Sequence, residues 1–498
     1  MNLGDSIRHG TKWLVTGNLS SQALQFAFGI VLARLLTPAD FGLLVTAQIF
    51  TGFVGMFAGG GMGEALVQAK EVREEDFQTV FTFQLATGAL IYAGFYLVAP
   101  WFALWFHEPI YESILRVSAL SFLLRPFANN PRIRLQREMR FKEIALIALI
   151  NLVIVSSVSI AMAASGFGVW SLVLSGLIGI PTNIALLCWR APWRPILHYS
   201  RASARALASY GFKDIAIDLV VYFRTQTTNL IVAKLMGPFE VGIFNKGSSL
   251  AYIPTRVVSG STYEVLFRAL SKVQDNLDHS RYVYFRTVML ASLYSFPVYI
   301  ALAWVTEAFV VGVYGSHWLG SVAPLRILCL AAPAFLLQLI SGALVAARNR
   351  LTEEIWLQLQ SWVLFIVLGL IGSQFGVVGI AWAVVLATYY IAIRLSLLAL
   401  DSISSRPLEL LRAFIPTLRL CGVEVAALLI MYLLLSSMSI RLPLLLHCAA
   451  FSFTGLAVYA AMFLFYPDRQ LVAEANRWRG LIGLRPLGAS PRTGRQSK

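Results

Sequence analysis

Long apolar runs separated by short polar connections make up almost the whole chain. Three of the runs, at 110–130, 239–267 and 321–346, are interrupted by polar residues. The others are continuous and begin near Trp13, Leu43, Val80, Ile144, Val169, Ile215, Val288, Trp356, Val377, Val423 and Leu442. A transmembrane helix needs roughly 20 predominantly apolar residues. The pattern therefore predicts an all-α polytopic membrane protein with about 14 transmembrane helices.

Composition supports a chain that lies almost entirely within the bilayer. Hydrophobic residues make up 58% of the 498 positions and charged residues only 13%, whereas a soluble protein carries roughly a quarter charged residues. The four cysteines, Cys188, Cys329, Cys421 and Cys448, lie in or beside apolar runs and far apart in sequence. This placement favours buried structural thiols over a disulfide framework or a metal site.

The distribution of basic residues predicts the orientation of the chain. With the N-terminus in the cytoplasm, 31 of the 40 Lys and Arg residues fall in inside segments, three fall outside (Arg34, Lys234 and Arg441) and six fall within spans. This is the positive-inside pattern of multi-pass membrane proteins. It predicts cytoplasmic termini and contact with anionic membrane lipids, and it excludes nucleic acid as the reason for the net charge of +15.

Two pairs of similar segments indicate an internal repeat. Residues 32–44 (LARLLTPADFGLL) align with 232–244 (VAKLMGPFEVGIF), each joining two predicted spans by a tight outer turn. Residues 166–173 (GFGVWSLV) align with 375–383 (FGVVGIAWA). Both pairs have nearly the same offset, so we expect two halves of six spans in the same orientation, related by an axis along the membrane normal.

The repeat predicts four parts of the chain. An N-terminal six-helix lobe covers 1–190, and a C-terminal six-helix lobe covers 200–400. Two extra transmembrane helices cover 409–466, and a basic cytoplasmic tail covers 467–498.

Sequence motifs for chemistry are absent. The chain has no Walker A sequence for ATP, no HExxH zinc motif and no paired acidic motif of the DxD kind. The six histidines form no cluster in sequence. We therefore predict no catalytic residue, metal or cofactor, and no enzyme activity.

Ionisable residues within the spans are the candidate functional residues, because a charge at mid-membrane is costly. The polar spans open the second half of the chain, and we expect them to line a water-filled cavity. Its predicted substrate-binding residues are Arg224, Lys246, Arg256, Arg116, Arg125, Asn229 and Gln25, and Asp218 and Glu64 are candidates for ion coupling. Two alternatives stay open: Asp218 and Arg224 could belong to internal ion pairs, and basic residues near helix ends could extend to the membrane surface.

Four segments resemble one transporter family. They are the LxPxxxG turn of the repeat, GMGEALVQAKEVREEDFQTVF at 61–81, PRIRLQREMRF at 131–141 and the block from Tyr222 through VLFRALSKVQDN at 265–276. Together they resemble the Wzx-type polysaccharide flippases of the multidrug/oligosaccharidyl-lipid/polysaccharide exporter (MOP) superfamily. The resemblance covers roughly residues 1–400. Arg224 and Asn229 match the polar seventh helix of that family, although Thr228 stands where relatives often have Asp.

The resemblance implies a lipid-linked oligosaccharide as substrate. An undecaprenyl-pyrophosphate-linked glycan would cross the bacterial inner membrane by alternating access, for surface polysaccharide biosynthesis. Basic residues in the central cavity would neutralise the pyrophosphate. Polysaccharide polymerase and glycosyltransferases are the implied protein partners.

Three rival functions remain at this point. A multidrug or cation antiporter of the same superfamily needs acidic cavity residues, whereas the spans here hold more base than acid. A membrane glycosyltransferase, polymerase or ligase usually has a larger outer loop and an acidic motif. A scaffold that recruits polysaccharide enzymes is the third, although it gives no reason for Arg224 at mid-depth.

Overall fold

The structure is a computed structural model that describes residues 20–58, 61–69, 71–438 and 442–487, without the side chains of 64, 202, 205–218, 220–221, 256–262 and 264. The helices in these residues, in chain order, are α1 (20–35), α2 (Pro38–Ala58), α3 (Met62–Gln68), α4 (Glu74–Phe106), α5 (Ile110–Ala119), α6 (Ser121–Arg137), α7 (Phe141–Ala164), α8 (Trp170–Arg190), α9 (Arg201–Met236), α10 (Pro238–Ala251), α11 (Ile253–Lys272), α12 (Leu277–Phe309), α13 (Val322–Cys329), α14 (Ala332–Ala347), α15 (Leu351–Gly372), α16 (Gly376–Ser402), α17 (Pro407–Ser437), α18 (Leu444–Phe465) and α19 (Val472–Leu481). A π-helical turn, Val310–Tyr314, follows α12.

The predicted all-α membrane fold is confirmed. Among the described residues, eight helical stretches are long and apolar enough to cross a membrane, and a bent pair of helices brings the number to nine. One of the eight, Leu351–Ser402, is a hairpin: Ser361 Oγ donates to the Ala387 carbonyl (3.3 Å), and Tyr390 Oη donates to Gln360 Oε1 (3.1 Å). α15 and α16 are therefore two antiparallel helices, and the total of 14 spans stays a prediction.

The runs interrupted by polar residues are broken helices. The predicted fourth span divides at Leu120 into α5 and α6, and the eighth divides at Tyr252 into α10 and α11. The tenth divides into α13 and α14, which meet at a bend of 47°. The second span also divides, into α2 and α3. The broken spans two and four of the first half thus correspond to the broken spans eight and ten. Each pair is six spans apart, as expected for two halves of six spans.

The first repeat pair forms a reciprocal contact near the starts of α2 and α10. A Cβ built on Gly42 would lie 2.6 Å from the carbonyl carbon of Pro238, and one built on Gly242 would lie 2.6 Å from that of Pro38. Cβ atoms do not approach backbone this closely, so glycine is required at both positions. The two helices cross where neither has a side chain, and each contributes the same pair of residues to the contact.

A second structural repeat connects α6 to α7 and α14 to α15. Met139 and Asn349 adopt positive φ angles of 55° and 57°, and an arginine follows each of them. Arg140 forms two hydrogen bonds to Glu143 (2.8 and 2.7 Å), and Arg350 forms the same two bonds to Glu353 (2.6 and 2.6 Å). Each arginine therefore fixes the start of the helix that follows, by the same bidentate pair.

The chain divides into two compact units, residues 1–245 and 246–498. In the first unit, an aromatic cluster of Phe50, Phe102, Trp105, Phe106 and Tyr111 joins α2, α4 and α5. In the second unit, a large buried cluster joins α12, α14, α16 and α17, and within it Tyr284 Oη shares a hydrogen bond with Ser341 Oγ (2.9 Å).

Candidate functional site

In the first unit, the seventh-span helix α9 is held against α2 by the residues next to Arg224. Tyr222 Oη donates a hydrogen bond of 2.7 Å to the carbonyl of Ile49. The ring of Phe223 contacts the ring of Phe53, with 5.1 Å between the centroids. A Cβ on Gly52 would lie 3.2 Å from Tyr222 Cζ, so the absence of a side chain there permits the close approach. Arg224 follows these contacts directly, and its side chain is exposed.

Arg125 on α6 reaches the same stretch of α2 from another helix. A Cβ built on Gly55 would lie 3.6 Å from Arg125 Nη1 and 3.3 Å from the ring of Phe122. The guanidinium also lies over the Phe122 ring, 5.2 Å from its centroid. No carboxylate of the described residues lies within 4.0 Å of Arg125. Contacts to Arg125 and to the α9 residues beside Arg224 thus lie within two turns of α2.

Arg116 has a different environment. It forms an ion pair of 2.6 Å with Glu112 one turn away on α5. Its guanidinium lies 4.3 Å from the centroid of the Tyr96 ring, and Nε donates to the Tyr96 carbonyl (3.4 Å). The charge of Arg116 is therefore compensated within the protein.

Lys246, in the second unit, contacts aromatic rings. Its Nζ lies 4.4 Å from the centroid of Tyr314 and 4.7 Å from that of Trp318. Both rings are almost completely buried. A cation over an aromatic face gains up to about 2 kcal/mol when it is desolvated, so these rings stabilise the charge at this position.

The remaining predicted site residues are less informative. Asn229 Nδ2 donates to Gln226 Oε1 (3.1 Å) on the same helix, and Gln25 is exposed on α1. The side chains of Asp218, Glu64 and Arg256 lie outside the described residues. The assignment of seven residues to a substrate cavity, and of Asp218 and Glu64 to ion coupling, stays a prediction.

A polar cavity of about 560 Å³ lies within the first unit, between α3, α4 and α6. Asn129 Nδ2 donates to Gln84 Oε1 across it (3.0 Å). Its polar lining is Gln68, Gln84, Asn129, Arg132 and Gln136. The sequence prediction missed this site because it assigned 131–142 to a connection, whereas α6 continues to Arg137. The signal was the spacing of Asn129, Arg132 and Gln136, which places them on one helical face.

Comparison with known proteins identifies the family. Residues 31–323, more than half of the chain, match the model of the family described as "Polysaccharide biosynthesis protein". The lipopolysaccharide biosynthesis protein WzxC of Escherichia coli (strain K12) is 23% identical over 76% of this chain and 78% of its own length. The teichuronic acid biosynthesis protein TuaB of Bacillus subtilis (strain 168) is 22% identical over 69% and 72%.

Solved structures identify the fold. The lipid II flippase MurJ, in an inward closed conformation, matches with a TM-score of 0.68 and 16% identity, over 94% of this chain and 99% of that one. An inward-facing multidrug resistance MATE family transporter of the MOP superfamily matches with a TM-score of 0.59 and 14% identity, over 77% and 94%. The predicted resemblance is confirmed: the chain belongs to the polysaccharide biosynthesis protein family and shares the fold of the MOP-superfamily transporters.

Proposed function

We propose that this protein moves an undecaprenyl-pyrophosphate-linked oligosaccharide across the bacterial inner membrane by alternating access. It would act as a transporter without enzyme activity, with both termini in the cytoplasm. The glycan would then enter surface polysaccharide, and the glycosyltransferases and polymerase of that biosynthesis are the expected partners. The observation that carries the proposal is Arg125, a cation on a broken span with no carboxylate partner among the described residues.

The charge of Arg125 favours an anionic substrate. The Arg125 side chain is exposed on its helix. Within a membrane span, a charged side chain is costly unless it faces a water-filled cavity or has a counter-charge. Other arginines of the first unit have such a partner, including Arg116 with Glu112, Arg134 with Glu74 and Arg140 with Glu143. A pyrophosphate supplies the missing negative charge and accepts several charge-assisted hydrogen bonds.

The polar cavity between α3, α4 and α6 suits the glycan part of such a substrate. Three glutamines, one asparagine and one arginine line it, and each amide offers both donors and an acceptor to sugar hydroxyls. Its volume of about 560 Å³ is large enough for a small-molecule group, since ligand sites occupy about 300–1,000 Å³.

The test is export by cells that lack the native gene and carry single variants. We expect Arg125→Gln to lower the amount of surface polysaccharide and to leave lipid-linked oligosaccharide in the inner leaflet. Arg125→Lys, which keeps the positive charge, should retain a large part of the export. The amount of protein in the membrane is measured for each variant.

Arg394→Gln is the matched control. Arg394 also lies on an apolar helix, over the ring of Tyr390 in its own helix at 5.9 Å. We expect normal export from this variant. Normal export by Arg125→Gln at an equal protein level would contradict the proposal, and so would an equal loss in Arg125→Lys and Arg125→Gln.

A further inference from the structure

Glu424 is a completely buried carboxyl in the middle of α17. Its relative exposure is 0%, and neither carboxyl oxygen has a hydrogen-bond partner among the described residues. It lies five residues, or about 7.5 Å along the helix, from Arg419, which pairs with Asp468 at 2.6 Å. The next residues of α17 towards its end are strongly apolar. Glu424 therefore lies inside the apolar part of a span that the sequence prediction treated as an appended helix.

Packing of α17 against α12 and α18 encloses this side chain. Cys421 and Leu428 lie on the same face of α17, three residues before and four residues after Glu424, and both are buried. On α18, a Cβ at Gly455 would lie 3.3 Å from Glu424 Oε1. About two turns earlier on the same face, Thr417 shares a hydrogen bond with Ser292 of α12 (3.0 Å). Among the described residues, Glu424 has no such hydrogen-bond partner on α12 or α18.

No basic side chain of the described residues forms an ion pair with Glu424. The titratable groups near it are Cys421 on α17 and Tyr459 on α18, and Tyr294 on α12 lies near Tyr459. Tyr459 Oη donates to the Leu293 carbonyl (2.8 Å), and Tyr294 Oη donates to Glu474 Oε1 (2.8 Å). More distant along these helices lie His447 and Cys448 near the start of α18, Glu307 near the end of α12 and Arg419 on α17.

The chemistry of these surroundings selects the ligand. An unpaired carboxylate in apolar surroundings costs far more free energy than the neutral acid. A metal cation needs several oxygen ligands, and the described residues contain no group of three or more acidic, histidine or cysteine side chains that could hold one. A proton needs a single oxygen.

We propose that Glu424 is a proton-binding site. The carboxyl oxygen holds the proton as long as α12, α17 and α18 pack around it as described. When a rearrangement admits water between α17 and Gly455, the acid transfers the proton to water and leaves a hydrated carboxylate. Closure of these helices is then linked to uptake of one proton. All residues of this proton site lie in the second unit, and the site does not depend on the proposed substrate.

Infrared spectroscopy of the full chain in liposomes tests the site. At pH 7.5, carboxyls in water are ionised, because their ordinary pKa values are near 4. We expect the C=O stretching band of one neutral carboxylic acid per chain, which shifts in D₂O. Glu424→Gln should abolish this band. Glu409→Gln, which replaces an exposed carboxylate on the same helix, should leave it unchanged.

A second variant keeps the test decisive if Glu424→Gln does not fold. Glu424→Asp retains an acid on a shorter arm, so the band should persist at a shifted frequency. An unchanged band in Glu424→Asp, an unchanged band in Glu424→Gln, or no neutral acid band in the unsubstituted protein would overturn the proposal. Because none of these measurements involves glycan export, their failure would leave the proposed transport function standing.

Discussion

Replacing Gly42 by alanine tests the reciprocal contact between the two repeat segments. The added Cβ would lie 2.6 Å from the Pro238 carbonyl carbon and 3.0 Å from the Gly242 nitrogen. Carbon atoms in contact are normally about 3.5–4.0 Å apart, and the Pro238 carbonyl oxygen lies closer still, so α2 and α10 must separate by at least about 1 Å. Because the obstruction is backbone, no side-chain rotation can relieve it.

The sign of the stability change is what makes this substitution informative. In an unobstructed helix, alanine is more favourable than glycine by up to about 1 kcal/mol. Overpacking of a close contact costs about 1–3 kcal/mol. We therefore expect Gly42→Ala and Gly242→Ala each to destabilise the protein by about 1–3 kcal/mol, although both lie in helices.

The assay is thermal unfolding in detergent, followed by tryptophan fluorescence. Gly94→Ala is the matched control, because Gly94 lies within α4 and an added Cβ there meets nothing within 4 Å. Its apparent melting temperature should be equal to or above that of the unsubstituted protein. The double variant Gly42→Ala/Gly242→Ala should cost less than the sum of the single variants, since one separation of the helices relieves both obstructions. Equal melting temperatures for Gly42→Ala and Gly94→Ala would refute the reasoning.

Two further predictions concern helix contacts within each unit. Gly52→Ala should destabilise the protein because its Cβ meets Tyr222, and adding Tyr222→Phe should restore part of the loss; a purely additive double variant would contradict this contact. Arg350→Lys keeps the charge but loses the bidentate pair with Glu353 and the bond to Asp401 (2.6 Å), so we expect a lower melting temperature, with a smaller change than for Gly42→Ala. Hydrogen bonds to Glu353 and then Asp401 raise the pKa of Arg350 above its ordinary value, so Arg350 stays charged between pH 6 and 9. The decrease in melting temperature of Arg350→Lys should therefore be independent of pH over this range in the same unfolding assay.

The sequence predicted the repeat from residues whose type is fixed by the backbone. Pro38 and Gly42 recur as Pro238 and Gly242 because the chain needs a helix start and then a position without a side chain. Gly168 and Gly376, the anchors of the second predicted pair, both have positive φ angles of 53° and 69°. In each case the backbone conformation or a close backbone contact requires glycine. The same residue therefore occurs at both positions of the pair, and the repeat is visible in the sequence.

The structural repeat of the turns before α7 and α15 was not visible in the sequence. Arg140 and Glu143 match Arg350 and Glu353, but the residues between them differ, and Met139 stands where the other turn has Asn349. Methionine carries no preference for positive φ, so nothing in the sequence indicated the turn. Only the hydrogen bonds of the two arginines show that the turns are equivalent.

Positions of the breaks within spans were only partly visible in the sequence. Polar residues predicted that 110–130, 239–267 and 321–346 differ from the other spans, and all three are indeed broken helices. Two of the breaks are followed by a proline: Pro254 lies in the first turn of α11 and Pro333 in the first turn of α14. Proline has no N–H for the preceding turn, so it favours the start of a new helix there. The break at Leu120 does not fall at a proline or glycine, and packing of α5 and α6 against different neighbours is the remaining cause.

The candidate site shows why charge within a span is an incomplete signal. Arg116 and Arg125 were both predicted from their position within a span, but Arg116 has Glu112 one turn away, whereas Arg125 has none of the described carboxylates within reach. Glu424 is not among the residues that the sequence predicted for the site, although it lies in an apolar run five residues after Arg419. In the structure Arg419 pairs with Asp468 instead, which leaves Glu424 enclosed by Leu428, Cys421 and Gly455. The cost of a buried charge depends on its compensation rather than on its depth alone. The residues to test first are therefore the two for which the described residues provide no opposite charge, namely Arg125 in the first unit and Glu424 in the second.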